Sequence, residues 1–181
     1  MNSVAPTSVK VMELRSAFDR ERAVPSSTRT ELQTESLLAI RVSRDGYAIR
    51  VTEISGLATD RKIVAFPSPI PELLGVAGVR GTLVPVYSLA RLLGYGGETG
   101  QVRWLVLCGT EEPFALAFSY FEGYMRMPRT QLHQAEQKDM MRAYVTHVVR
   151  ATDTVRAVVN IPLLRETIQE RCRKNGIPKE R

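Results

Sequence analysis

The chain has 181 residues, 44% of them hydrophobic, with two cysteines and a net charge of +6 at neutral pH. That length and apolar content suffice to bury a real core in one compact unit or two small lobes. No apolar run is long enough to cross a bilayer, and Met1–Met12 has no hydrophobic stretch of the signal-peptide kind, so a cytoplasmic location is expected with no membrane insertion.

The positive charge is not concentrated as a nucleic-acid interface would require. Arg165–Arg181 holds six basic and three acidic residues, which is half of the net excess, and the remainder is scattered. No aromatic platform is interleaved with it, so no nucleic acid is expected as a partner. The tail, taken as 173–181, instead suits a solvated helix end whose cations complement the helix dipole.

Residues 1–35 read as a leader. They contain Pro6, Pro25 and a Ser/Thr-rich stretch at Ser26–Thr28, and Val11, Leu14 and Phe18 share one face at helical spacing. Two readings of this short amphipathic helix are open: docking on its own domain, or presentation to a partner groove.

From Leu37 the period becomes two. Leu38, Ile40 and Val42 alternate with Ala39 and Arg41, a turn follows at Ser43–Gly46, and Tyr47–Val51 returns. A second hairpin is expected from Trp104–Cys108 and Phe114–Phe118 around a polar turn at Gly109–Pro113. Tyr47–Gly56 aligns without gaps over Phe114–Gly123, which suggests a duplicated small β unit rather than a solenoid.

Between the hairpins, Gly75, Gly78 and Gly81 lack the strand, the long helix and the Lys-Ser/Thr of a phosphate loop. Pro85, between Val84 and Val86, argues for an edge strand, because it cannot donate a ladder bond. Ser88 is placed to cap a short helix through Leu93, and Gly94, Gly96, Gly97 and Gly100 mark the passage between lobes. After a last strand at Val155–Val159, Asn160 caps a terminal helix with Pro162 in its first turn and Leu164, Ile168 and Cys172 as its buried stripe.

Catalytic chemistry finds no footing in the sequence. His133 and His147 are far apart and have no metal-like neighbours, Ser119 lacks nucleophile-elbow glycines, and Cys108 and Cys172 have no metal-ligand spacing. Neither a metal nor a cofactor is expected. Cys108, inside an apolar run, reads as a buried inert thiol.

Three segments, in order and spacing, resemble the CheW coupling-protein family of bacterial chemotaxis. They are Tyr47-Ala48-Ile49 with Val51-Thr52-Glu53-Ile54; Phe66-Pro67, Pro69 and Pro71 leading to Gly75-Val76; and Arg80-Gly81 with Val84-Pro85-Val86. The resemblance covers roughly Leu37–Ile168. It implies a mainly β fold of two SH3-like β-barrel lobes packed together, with short helices and a C-terminal helix. The expected division is a CheW-like domain at 36–172, with lobes at about 36–100 and 101–165.

By the same resemblance the protein is a non-catalytic adaptor. It would couple a methyl-accepting chemoreceptor to a chemotaxis histidine kinase, with Arg80, Gly81, Val84 and Val86 on the receptor side and Glu53 and Ile54 on the kinase side. A stand-alone regulatory or small-ligand-binding domain on the same fold is the alternative. The chain departs from the family at Tyr87 and Asn160, where an aspartate is usual, which points to a divergent member.

Overall fold

The computed structural model describes residues 33–97, 100–135, 144–151 and 154–175. The expected leader helix and most of the basic tail lie outside the described residues.

Period-two sequence becomes strand almost throughout. β1 (Thr34–Val42) and β2 (Asp45–Arg50) form the first hairpin, followed by a 3-10 turn at Val51–Glu53. Then come β3 (Gly56–Thr59), β4 (Ile63–Val64), β5 (Leu73–Val79), β6 (Thr82–Ser88) and α1 (Leu89–Leu92). β7 (Trp104–Cys108) and β8 (Phe114–Phe118) make the second hairpin at its expected bounds. β9 (Tyr120–Pro128), a 3-10 turn at Arg129–Gln131, β10 (Leu132–Gln134), β11 (Val145–Ala151), β12 (Thr154–Val159) and α2 (Ile161–Lys174) complete the chain. The first turn differs from expectation: Val42 pairs with Asp45, so Ser43 and Arg44 make the turn and Asp45-Gly46 open the strand. Within that turn Ser43 takes a positive φ of 56°.

The strands form two six-stranded sheets, ordered β10-β11-β12-β2-β1-β9 and β3-β7-β8-β6-β5-β4. The second order, read backwards, reproduces the first with each strand shifted by six places in the chain. β2 lies between antiparallel β1 and parallel β12, just as β8 lies between antiparallel β7 and parallel β6. The duplication is thus a repeat of six strands and a helix, β1–β6 with α1 and β7–β12 with α2. Each repeat gives two strands to one sheet and four to the other. The repeats run from Thr34 to Leu92 and from Trp104 to Lys174, and neither sheet is built from one repeat alone. Among the described residues neither ladder closes on itself, so the SH3-like lobes are open sheets.

Residue size explains which faces meet. Tyr47-Ala48-Ile49 and Phe114-Ala115-Leu116 each alternate large, small, large. In both sheets the large residues join one shared core, which also holds Leu38, Ile40, Val106, Phe118 and Leu164. The small residues face each sheet's own interior: Ala48 with Leu37, Met127, Val149 and Val158, and Ala115 with Val84, Val86, Leu105 and Leu107. Full burial of a side chain such as Leu116 is worth roughly 1.5–3 kcal/mol, so the shared core is what holds the sheets together.

The helices seal that core. Ser88 Oγ accepts the Arg91 N–H (3.2 Å) at α1, and Asn160 Oδ1 accepts the Leu163 N–H (2.9 Å) at α2, both as the sequence indicated. Leu164 and Ile168 are buried and Cys172 partly so. Tyr87, at a position where an acid was expected, is buried in the shared core, edge-on to Phe114 with its hydroxyl 3.6 Å from Cys172 Sγ. Burial raises the Tyr87 phenol well above its usual range, and pushes the Cys108 thiol up to about 12.

Candidate interaction surfaces

Two places carry the residues that the sequence singled out, and the structure treats them very differently. The first is the tip of the β5–β6 hairpin. Val79 pairs with Thr82, which leaves Arg80 and Gly81 as a two-residue turn with φ of 51° and 81°. Positive φ at both central positions is the geometry that matches strand twist in tight hairpins, and it strains any non-glycine residue. Arg80 is exposed, and its guanidinium extends over Gly56 of β3, where an added Cβ would meet Nη2 at 3.2 Å.

The hairpin projects from the sheet. β6 pairs with β8 only at Val86–Ser88. The expected edge strand is therefore an interior strand whose first half, Thr82–Pro85, runs beyond its parallel neighbour. Pro85 sits just outside that ladder, where its missing N–H is tolerated.

Alternation along this hairpin corrects one part of the sequence reading. Val84 and Val86 point into the second sheet's interior and are 3% and 0% exposed, so neither offers a surface to a partner. Their neighbours face outward. Val64 pairs with Val76 and Val76 with Pro85, while Gly78 pairs with Leu83, so these residues form one apolar outer face. Leu83 is 73% exposed and Val64 54%. A contiguous exposed apolar face marks an interaction surface far more often than scattered single residues do. The run Leu83-Val84-Pro85-Val86 is apolar at every position, so period two shows two faces there without saying which is buried.

A glycine upstream sets the hairpin's base. At Gly75, φ is 143° and a Cβ would stand 2.1 Å from the Val64 carbonyl oxygen. β4 can close on β5 only because nothing projects there, and the pairing slips between Leu73 and Gly75 at the same point.

The second place is the 3-10 turn. Glu53 is engaged in holding the fold: its Oε2 accepts the Ile161 N–H at the start of α2 (3.0 Å), and its Oε1 accepts from Arg50 Nη1 (3.2 Å). With Asn160 serving Leu163, and the Asn160 carbonyl accepting from Leu164 N, every first-turn N–H of α2 has an acceptor, since Pro162 has none to offer. Ile54 is half-buried against the shared core.

Sequence reasoning passed over a set of charged residues on the first sheet. Glu122 pairs with Arg156 (2.6 Å) and with Arg41, and these guanidinium groups hold its carboxyl below the usual range against the opposing effect of burial. Beside the interior's other end, Glu35 pairs with Arg129 (3.0 Å) and Arg50 (3.8 Å), and Arg50 Nη2 lies 3.1 Å from His147 Nδ1. Burial first, and Arg50 second, depress the His147 imidazole below its ordinary value. Isolated charged letters in strands gave the only clue, at Glu35, Arg50, Arg156 and His147.

Among the described residues no cluster of His, Cys, Asp or Glu has the makings of a metal site, and no helix is long and apolar enough to cross a membrane. The profile of the CheW-like domain matches residues 36–168, which span all twelve strands and the first half of α2. No curated protein matches the chain. Among solved structures, the scaffolding protein TtCheW from Thermoanaerobacter tengcongensis is similar at a TM-score of 0.61 and 13% identity, over 71% of this chain and 90% of that one. With the matched region running from β1 into α2, the chain belongs to the CheW-like domain family.

Proposed function

We propose that the protein is a non-catalytic adaptor that couples a methyl-accepting chemoreceptor to a chemotaxis-type histidine kinase at the cytoplasmic face of receptor assemblies. The observation that carries this reading is the CheW-like match across both six-strand repeats, so that neither lobe is missing. The working unit is residues 36–172, with the leader 1–35 and the basic tail 173–181 flanking it.

The exposed face of the β5–β6 hairpin supports a receptor-side role for Arg80 and Gly81. Leu83 and Pro85 take the place of the buried valines there. Arg80 presents a planar fork of donors that suits a carboxylate or a pair of carbonyls on a helical partner. On the kinase side, Glu53 acts by fixing the turn that displays Ile54 and the start of α2. The interiors of both sheets are filled by their own side chains, which favours a protein partner over an enclosed small ligand.

The test is co-sedimentation of the purified chain with a receptor cytoplasmic fragment and a histidine kinase from the same source, with no small molecule added. Retention of both partners is expected. A chain that binds neither, while folded by circular dichroism, would refute the adaptor reading.

A further inference from the structure

Arg50 stands at the centre of a relay that joins four elements of the structure. Each of its three guanidinium nitrogens faces a different group: Nη1 donates to Glu53 (3.2 Å), Nε lies 3.8 Å from Glu35, and Nη2 lies 3.1 Å from His147 Nδ1. Glu53 passes the connection on to the Ile161 N–H at the start of α2 (3.0 Å). Glu35 is held from its far side by Arg129 (3.0 Å). The side chains of Arg50, Glu53 and Glu35 are only 15%, 17% and 9% exposed, so water screens these contacts weakly.

The relay fits one protonation state of His147. An arginine nitrogen can only donate, so the contact at Nδ1 needs a lone pair there and a neutral ring carrying its proton on Nε2. Thr146 Oγ1, 3.0 Å from the same Nδ1, can donate to it as well. Two glutamates, two arginines and a neutral histidine sum to no charge. Protonation puts N–H against N–H at the Arg50 contact and leaves the cluster with one uncompensated cation. Its strand partners offer no compensation: Gln134 on β10 and Val158 on β12, opposite His147, are uncharged.

We propose that His147 is a proton-operated latch on α2: neutral, it holds Arg50 where Arg50 orients Glu53 onto the helix start, and protonated, it releases them. Arg50 and Glu53 act as positioning residues in this scheme. Because Glu53 and Ile54 border the surface proposed for the kinase, mild acid loosens that surface while leaving the apolar cores intact. Burial and Arg50 depress the imidazole below its ordinary value, so the latch stays closed at neutral pH.

Amide hydrogen exchange of Ile161, measured by NMR on the full chain from pH 7.5 to 5 and corrected for intrinsic rates, tests this directly. The expected result is a several-fold loss of protection at Ile161 that tracks the His147 ring titration, and no such loss in His147→Gln, whose side chain stays uncharged. Coupling is reciprocal, so Arg50→Gln, which removes both the donor at Nδ1 and the cation that depresses the imidazole, must shift the His147 titration to higher pH. Protection at Ile161 that ignores the His147 titration, an unchanged pH response in His147→Gln, or an unmoved His147 titration in Arg50→Gln would each overturn the latch. Circular dichroism of each variant at pH 7.5 confirms that a folded chain is being compared.

Discussion

The two sheets share one topology and fill their interiors with different chemistry. The second sheet's interior is apolar, with Ala77, Val79, Val84, Val86, Leu105, Leu107, Ala115 and Ala117 packed together. The first has a smaller apolar centre, Leu37, Ala48, Met127, Val149 and Val158, flanked by ion-paired Glu122, Arg156, Glu35 and Arg50. Duplicating a fold therefore did not duplicate its source of stability. Apolar burial is insensitive to pH, whereas paired charges contribute only in their ionised forms. The outer surfaces differ too, since the hairpin that projects with an apolar face belongs to the second sheet. One sheet carries the exposed apolar face, and the other holds the charged relay that meets α2.

Substitutions can break or sharpen this contrast. Gly75→Ala is expected to cost the most, roughly 3 kcal/mol or more in urea unfolding, because its Cβ collides with backbone that has no flexible end to yield. Gly81→Ala, with positive φ but open space around it, should cost only about 1 kcal/mol. A Gly75→Ala variant as stable as Gly81→Ala would disprove the close approach of β4 to β5. Leu105→Ala, in the apolar interior, should cost about 2–5 kcal/mol, by the same amount at pH 7 and pH 5.

Charged sites should respond to pH instead. Glu53→Ala removes the side-chain acceptor of the Ile161 N–H and should cost about 0.5–2 kcal/mol, as loss of a helix cap does. Weakened kinase binding in that variant would consequently report on α2 as well as on contact, and Ile54→Ala is the cleaner probe. Glu122→Gln should cost less, under about 1 kcal/mol, as partly exposed ion pairs do. The Glu122 carboxyl lies below its ordinary value, so its contribution is present above pH 4.5 and is lost as pH falls through the lowered folded value. Wild type and Glu122→Gln should therefore converge in stability in acid. A gap that persists unchanged at low pH would mean that packing, not charge, sets the role of Glu122.

Local signals made half of this legible from the sequence. Strand periodicity placed both hairpins, side-chain oxygens at Ser88 and Asn160 marked both helix starts, and the alternation of Tyr47-Ala48-Ile49 with Phe114-Ala115-Leu116 exposed the duplication. What escaped was set by distance. The parallel pairing of β2 with β12 joins Tyr47 to Ala157, and the cap on Ile161 comes from Glu53, 108 residues away. No periodicity encodes such partners, so the exchange of strands between sheets and the structural use of Glu53 appear only in three dimensions. The family motif drew attention to the β5–β6 hairpin, but at Val84 and Val86 the pleat turns the side chains inward.

The adaptor account is tested most directly at the hairpin, in a reconstituted receptor–adaptor–kinase assembly with kinase activity as the readout. Arg80→Ala and Leu83→Asp should each stay within about 0.5 kcal/mol of wild type in urea, because both side chains are exposed, and each should lose most of the receptor control of the kinase. Arg80→Lys should recover only part of it, keeping the charge without the planar fork. Full receptor control by both Arg80→Ala and Leu83→Asp, in chains of wild-type stability, would contradict the account.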